Sequence, residues 1–538
     1  MTTHQGKGVC PGITFGKVHL LQNAEEIMES VSAGNAEQEW ERFLNAKAQA
    51  DRQLEALFEK AKQSIGEEEA MIIDVQRMML DDGDYNETIE SMIKEIHVSA
   101  PYAVAQAGQQ FSAFFSSLED PYMKARSTDV NDVSQRLVDT LLGRHKNYNF
   151  TEPAIVVAED LTPSETLQME KSQIRAFVIR KGSGNSHTAI LARTMNIPCV
   201  VQADIRLDPK INGKEMIVDG ERGVCYLNPS DDIRSDMLDR QKKEIVRMEL
   251  LENMRGLPTV TKSGRTIRLF SNIGSDKDID SVLANDSEGV GLFRSEFLYL
   301  GRKDFPTEDE QFAAYRKVAE GMGGKQVIIR TLDIGADKKA EYFRLDEEEN
   351  PALGLRGVRI CIDRPDVFRT QLRAIYRASA FGNIAVMFPM ITSIWEVLHC
   401  RDIAADVCRE LAEEGIEVGD VEIGIMIETP AAAISADALA KEVDFFSVGT
   451  NDLTQYTLAI DRQNSKLERF YDPHHPAIME MLSMIARAAR SNGIWAGICG
   501  ELAADLTVTE ALVKMGFDEL SVSPSDTLEL REKIREID

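Results

Sequence analysis

The sequence predicts a multidomain α/β chain: an α/β domain interrupted by an inserted helical bundle, then a linker helix and a C-terminal (β/α)8 TIM barrel. Three observations carry that expectation. The chain has 538 residues, too many for one hydrophobic core, and its apolar pattern changes texture along its length. In the second half, short β-like runs alternate with helical stretches through roughly 280 residues, close to the size of one barrel. Hydrophobic residues make up 43% and charged residues 28%, a globular balance.

Residues 1–20 carry Gly6, Gly8, Pro11, Gly12 and Gly16 around short β-like pieces. Trp40, Phe43, Leu44, Leu54, Leu57, Phe58 and Ile65 then recur at helical steps, followed by Ile72, Val75, Met79 and a helix through Phe111, Phe114 and Phe115. Asp82-Gly83 breaks that run. These residues predict a bundle built from two helical hairpins. The β texture resumes at Ala154–Ala158, Ala176–Arg180, Pro198–Val201, Glu215–Val218 and Val224–Leu227. The expected domains are therefore 1–20 with 147–230, and an insert over 21–146. Ile233, Met237, Ile245, Met248 and Leu251 form one helical stripe in a linker over 231–257, stopped by Gly256-Leu257-Pro258. The barrel, 258–538, takes its strands from Ile267–Ser271, Gly289–Phe293, Gln326–Thr331, Ile384–Phe388, Glu422–Ile427, Asp444–Val448, Ile494–Ile498 and Glu519–Val522. An open doubly wound sheet is the rival.

The formal net charge of −28 repels nucleic acid and anionic membranes and leaves room for a basic protein partner. No apolar run approaches the roughly 20 residues of a membrane span, and Met1–Gln5 does not open a signal peptide. The seven cysteines are scattered without a Cys-x-x-Cys pair, which points to a reducing, cytoplasmic setting.

Barrel active sites lie at the carboxyl ends of the strands. Those ends offer Arg294, Arg330, Glu428, Asn451-Asp452 in a Gly-Thr-Asn-Asp turn, and Cys499. Arginine forks match phosphate and carboxylate oxygens, and Glu428 with Asp452 supplies hard oxygens for Mg²⁺. Each arginine alone could be a surface salt bridge, and Cys499 a small buried residue; together at one rim they suit a multiply charged anion bound through a metal. In the first half, a Gly/Ser/Asn loop runs through Ser186 into His187. Ser186 as helix cap would put His187 in a first turn, where backbone N–H groups favour a phosphate on the ring; a histidine merely packed near a turn is the plainer alternative.

Several segments fit a known family: Asp160–Thr166, Ser186-His187-Thr188, Glu288–Arg294, Ile329–Gly335, Met426–Ala432, Val448–Tyr456 and Cys499–Leu502. In these motifs and their order the chain closely resembles the enzyme I family of the bacterial phosphoenolpyruvate:sugar phosphotransferase system. The resemblance implies a swivelling phosphohistidine domain. His187 would take the phosphoryl group of phosphoenolpyruvate, and Glu428 and Asp452 would hold Mg²⁺. Arg294, Arg330 and Arg462 would clamp the phosphoryl group, with Asn451 and Asp452 at the substrate and Thr166, Arg356 and Lys338 in support. Cys499 would protonate the enolate to give pyruvate. The phosphoryl group would then pass to the carrier protein HPr on the helical insert, and the barrel would form a homodimer.

Some positions depart from the family pattern. The loop reads Gly-Ser-Gly-Asn185-Ser-His187, Ser295 and Ala336 replace a common Thr and Gly, and Gln76 stands where many members carry a His beside the carrier-docking surface. The acidic insert residues (Glu67, Glu68, Glu69, Asp74, Asp81, Asp82, Asp84) could steer a basic carrier or simply be a solvated face. The chain also ends sooner than many members, which could weaken the last barrel helices or the dimer. Competing readings are a pyruvate,phosphate dikinase or phosphoenolpyruvate synthase, a non-catalytic phosphorylation sensor, and a metal-dependent aldolase. The first needs a further ATP-binding domain, and the last gives His187 no task.

Overall fold

The computed structural model describes residues 1–21, 35–64, 67–117, 121–144, 150, 152–182, 186–300, 302–335, 340–346, 348–462, 464 and 466–538. Ile65, Asn185, Ala336 and Lys338 lie outside the described residues, as do the side chains of Glu67, Glu68, Glu69, Ile72 and His187. The chain divides into two compact units, Met1–Val246 and Arg247–Asp538.

In the first unit, β1 (Thr2–Gln5), β2 (Lys7–Cys10) and β3 (Ile13–Leu21) precede α1 (Ala36–Ser64), α2 (Glu67–Leu80), α3 (Gly83–Lys94), α4 (Ala100–Ser117) and α5 (Pro121–Leu141). Then come β4 (Ala154–Ala158), α6 (Pro163–Gln168), β5 (Ile174–Ile179), α7 (His187–Thr194), β6 (Cys199–Val201), β7 (Glu215–Asp219), β8 (Val224–Leu227) and α8 (Asp231–Glu252), whose last residues belong to the second unit. The sheet order is β1-β8-β7-β3-β4-β5-β6-β2. β3 and β4 pair in parallel with Lys17 opposite Ala154, so the helical insert interrupts the chain between two adjacent strands. All of β4 is buried, since separate apolar clusters cover its two faces.

Within the insert, α1 packs on α2 and α4 on α5, the expected two hairpins. α3 stands between them, capped by the Asp82 carboxylate, which accepts from the Tyr85 N–H. Phe43, Leu54, Ile89, Val104 and Leu137 form the bundle core, and Leu167 from α6 and Leu191 from α7 enter it. Two residues of the expected apolar stripes face outward instead, Leu44 at 46% and Phe114 at 59% exposure. The linker stripe also needs correcting. α8 forms, and Met237 is buried, but Ile245 and Met248 are 50% and 69% exposed. Spacing marks a face; it does not supply something to cover it.

The second unit contains β9 (Arg268–Ile273), β10 (Gly289–Arg294), β11 (Val327–Arg330), β12 (Ile384–Phe388), β13 (Glu422–Ile427), β14 (Phe445–Val448), β15 (Trp495–Ile498) and β16 (Glu519–Val522). These strands pair in parallel and close, β16 returning to β9, which excludes the open sheet. Side chains fill the interior, among them Phe270, Ile328, Met387, Met426 and Phe445, while Leu269, Val386, Ile425 and Leu520 pack outward against the helices. The last helix, Thr527–Glu536, is held by buried Leu530 and Ile534 and by Arg531, which donates to Thr259 Oγ1 at 3.0 Å.

Candidate active site

The carboxyl ends of the barrel strands gather the expected polar residues. Arg294 is the last residue of β10 and Arg330 the last of β11, and the two are register partners. Glu428 directly follows β13 and Cys499 directly follows β15. Asn451 and Asp452 lie in the first turn of the helix Thr450–Leu458 rather than in a free turn, because the chain enters that helix directly after Gly449. Arg356 comes from the loop before the helix Val358–Asp363.

These groups form a buried lattice of alternating charge. Arg356 donates through both Nη atoms: to Asp333 at 3.2 and 3.1 Å, to Asp452 Oδ1 at 3.2 Å and to the Tyr456 hydroxyl at 3.0 Å. Arg330 pairs with Glu296 and, at 3.2 Å, with Asp333. Burial works against both guanidinium charges, but the carboxylates outweigh it and hold both pKa values above the ordinary range. Asp333 and Glu296, the carboxylate partners of these arginines, are the site-lining residues that the sequence did not single out. Asp333 lies inside the quoted Ile329–Gly335 segment, three residues after Arg330, and Glu296 two residues after Arg294. The Arg330–Glu296 pair joins the ends of adjacent strands and the Asp333–Arg356 pair spans a long loop, so neither of those two pairs shows in local spacing.

Glu428 is fully buried. Its Oε1 accepts the Met390 N–H at 2.6 Å, while Oε2 has no hydrogen-bond partner among the described residues. Burial, then the charges of Asp452 and Asp333, push its pKa up against the pull of Arg330 and Arg356. An unsatisfied buried carboxylate oxygen beside a second carboxylate calls for a cation, and hard oxygens suit Mg²⁺. Among the described residues no group of three or more His, Cys, Asp or Glu side chains is arranged for a metal, so a cation here has to find its remaining ligands elsewhere.

The outer arginines are less constrained. Arg294 is exposed and makes no ion pair among the described residues, and Arg462 reaches Asp452 Oδ2 only at 3.7 Å. Asn451 is engaged with Glu501, donating to its Oε1 at 3.2 Å and accepting from its N–H at 3.1 Å. Cys499 is 2% exposed, its thiol directed at the Val448 carbonyl at 3.7 Å, and burial pushes its pKa up to about 12. It is a protonated thiol at neutral pH, suited to give a proton rather than to attack.

In the first unit, His187 opens α7 as expected. Ser186 occupies the cap position with extended backbone, but its side chain makes no capping bond and Oγ is buried without a partner among the described residues. Thr188 Oγ1 instead ties the first turn to the Leu161 carbonyl at 3.0 Å. Thr166 is buried on α6, where Thr162 and Glu165 form a capping box; its hydroxyl donates to the Thr162 carbonyl at 3.0 Å, leaving its oxygen free to accept. Gln76, expected beside a docking surface, is buried and donates to Asp132 at 2.8 Å, and Asp132 also accepts the Ser164 hydroxyl at 2.7 Å. Asp81, Asp82 and Asp84 are exposed.

Three family models cover most of the chain. "PEP-utilising enzyme, N-terminal" matches residues 5–126, "PEP-utilising enzyme, mobile domain" 150–223, and "PEP-utilising enzyme, PEP-binding domain" 248–538. The phosphoenolpyruvate-protein phosphotransferase of Listeria innocua is 40% identical over 99% of this chain and 94% of its own length. That of Bacillus subtilis is 38% identical over 99% and 94%. A solved structure described as the NMR solution structure of enzyme I covers 45% of this chain and 98% of its own, at 32% identity and a TM-score of 0.38. With such relatives along nearly its whole length, the chain belongs to the phosphoenolpyruvate–protein phosphotransferase (enzyme I) family.

Proposed function

We infer that this chain takes the phosphoryl group of phosphoenolpyruvate onto His187, releases pyruvate, and passes the group to the histidine of the carrier protein HPr. This is the entry step of phosphotransferase-system sugar uptake in the cytoplasm. One observation supports it above the rest: a buried lattice of Arg330, Arg356, Asp333, Asp452 and Glu428 opens beside a protonated buried thiol.

Glu428 and Asp452 would hold Mg²⁺, which when bound supplies positive charge to the substrate's carboxylate and phosphoryl oxygens. The chain's own residues do the rest. Arg330 and Arg356, fixed by their carboxylate partners, present donors in place before the substrate arrives, so little reorganisation is needed. Arg294 and Arg462 are exposed and can close on the phosphoryl oxygens, and Asn451 can turn from Glu501 to the substrate. As the P–O bond breaks, the Cys499 thiol gives its proton to the enolate carbon, leaving pyruvate and a thiolate. Thr166 would orient the His187 ring by hydrogen bonding, with Lys338 in support.

One imidazole serving both phosphoenolpyruvate and a carrier requires the N-terminal unit to swivel. We assign the pivot to α8, since the division between the units, Val246/Arg247, falls inside it. HPr would dock on the helical insert, and the barrel would carry a homodimer. The test is transfer: the chain, phosphorylated by labelled phosphoenolpyruvate with Mg²⁺, is freed of substrate and mixed with HPr. Label should move to HPr; label that stays on the chain would contradict the reading.

A further inference from the structure

Below the active-site mouth the barrel holds a carboxyl that the reaction just described does not use. Glu519 begins β16 and is 1% exposed, and neither carboxyl oxygen has a hydrogen-bond partner among the described residues. The surrounding strands leave room for it. A Cβ on Gly497 would lie 1.8 Å from Oε2, and one on Gly291 2.6 Å from Oε1. The space occupied by the carboxyl exists because both positions are glycine.

Register gives this slot a direction. Ser447 pairs with Gly497 and Gly497 with Glu519, so the three residues share one level across β14, β15 and β16. Since Gly497 has no side chain, nothing on β15 separates the Glu519 carboxyl from Ser447. Ser447 Oγ is itself buried without a hydrogen-bond partner of good geometry among the described residues, and it lies close enough to the Cys499 thiol to favour its ionised form. Cys499 follows Gly497 by two residues, on the same face of the strand.

We propose that Glu519, acting through the Ser447 hydroxyl, returns a proton to Cys499 after each turnover. This rests on the reading of Cys499 as the proton donor. Once the thiol has protonated the enolate, the thiolate lone pair takes the Ser447 hydroxyl proton, and the serine oxygen takes the carboxyl proton. One S–H bond forms, one carboxyl O–H bond breaks, and the serine is restored. The Glu519 carboxylate regains its proton from solvent at the opposite rim, where Arg268, its register partner, and Trp495 are half-buried. Burial pushes Glu519 up to about 8, with Arg268 pulling the other way, and Cys499 up to about 12, so the proton runs downhill from acid to thiolate. The charged groups acting on this path are Arg268 from β9, Arg330 from β11 and Glu428 after β13.

Glu519→Gln keeps the shape and removes the proton. In quench-flow with phosphoenolpyruvate, Mg²⁺ and saturating HPr, this variant should release its first pyruvate at the wild-type rate, because the thiol starts protonated. Later turnovers should be about a hundredfold slower. Ser447→Ala should behave alike. A steady-state rate within about twofold of wild type, or a first turnover slowed as much as later ones, overturns the relay. Cys499→Ala separates the relay from the reading beneath it. An unaltered first pyruvate there removes Cys499 as donor, whereas its loss there with normal turnover in Glu519→Gln removes the relay alone. Should Glu519→Gln not fold, judged by circular dichroism and Tm, Ser447→Ala decides.

Discussion

Asp333 ties together the two inner arginines, and replacing it with Asn tests whether the lattice is built before substrate binds. The carboxylate sits 3.1 and 3.2 Å from Arg356 and 3.2 Å from Arg330. At an effective dielectric of about 20, a unit pair about 4 Å apart is worth about 4 kcal/mol, so the two pairs are worth about 8 kcal/mol before desolvation. Taking one carboxylate out of water costs several kcal/mol. Arg330 keeps Glu296 and Arg356 keeps Asp452, so neither cation is left alone. The net loss should be about 3 kcal/mol, the lower end for breaking a buried pair. For a barrel of this size that is a fall in Tm of about 6 °C by calorimetry. The KM for phosphoenolpyruvate should rise as well, because both forks lose their anchor. A Tm within about 1 °C of wild type, with KM unchanged, would refute the claim that Asp333 positions the arginines.

Three further outcomes follow from the same geometry. Glu428→Gln should reduce phosphorylation by phosphoenolpyruvate by at least about a hundredfold, and EDTA should do the same to the wild type; rapid-quench labelling reads both. Gly497→Ala should destabilise the barrel by about 1–3 kcal/mol, because its Cβ would lie 1.8 Å from Glu519 Oε2, and denaturant titration measures this. Glu519, raised by burial to about 8, binds its proton more tightly folded than unfolded. Its contribution is therefore complete below the unfolded carboxyl range and shrinks by about 1.4 kcal/mol per pH unit as pH rises to about 8. The stability advantage of Glu519→Gln over wild type should grow through that window and level off above it, and a difference that does not vary with pH would contradict this.

What the sequence disclosed depended on how local each feature is. Ile384–Phe388 coincides with β12, because a strand buried on both faces reads as an unbroken apolar run bounded by turns, and Glu422–Ile427 coincides with β13, whose run is apolar after its exposed first residue. Arg294, Arg330, Glu428 and Cys499 were legible for a related reason: once the strands are placed, their carboxyl ends are known. The pairings were not legible. Asp333 joins Arg330, three residues back, to Arg356, twenty-three residues on across a loop, and the Glu519–Ser447 level spans three strands; both depend on how distant segments are brought side by side. Local chemistry misled in two places. Ser186 takes the cap position but not the cap bond, and a different contact, Thr188 Oγ1 to the Leu161 carbonyl, ties down the first turn. Gln76 sits on a helix whose polar residues read as surface, but Asp132 draws it inside.

The central claim is that His187 accepts the phosphoryl group from a substrate bound at the barrel mouth. Intact-mass spectrometry of the full chain after exposure to phosphoenolpyruvate and Mg²⁺, with peptide mapping under conditions that preserve phosphohistidine, tests it most directly. One phosphoryl group per chain should appear on the peptide containing His187, absent in His187→Ala and formed far more slowly in Glu428→Gln. An unmodified chain, or a phosphoryl group retained in His187→Ala, would contradict it.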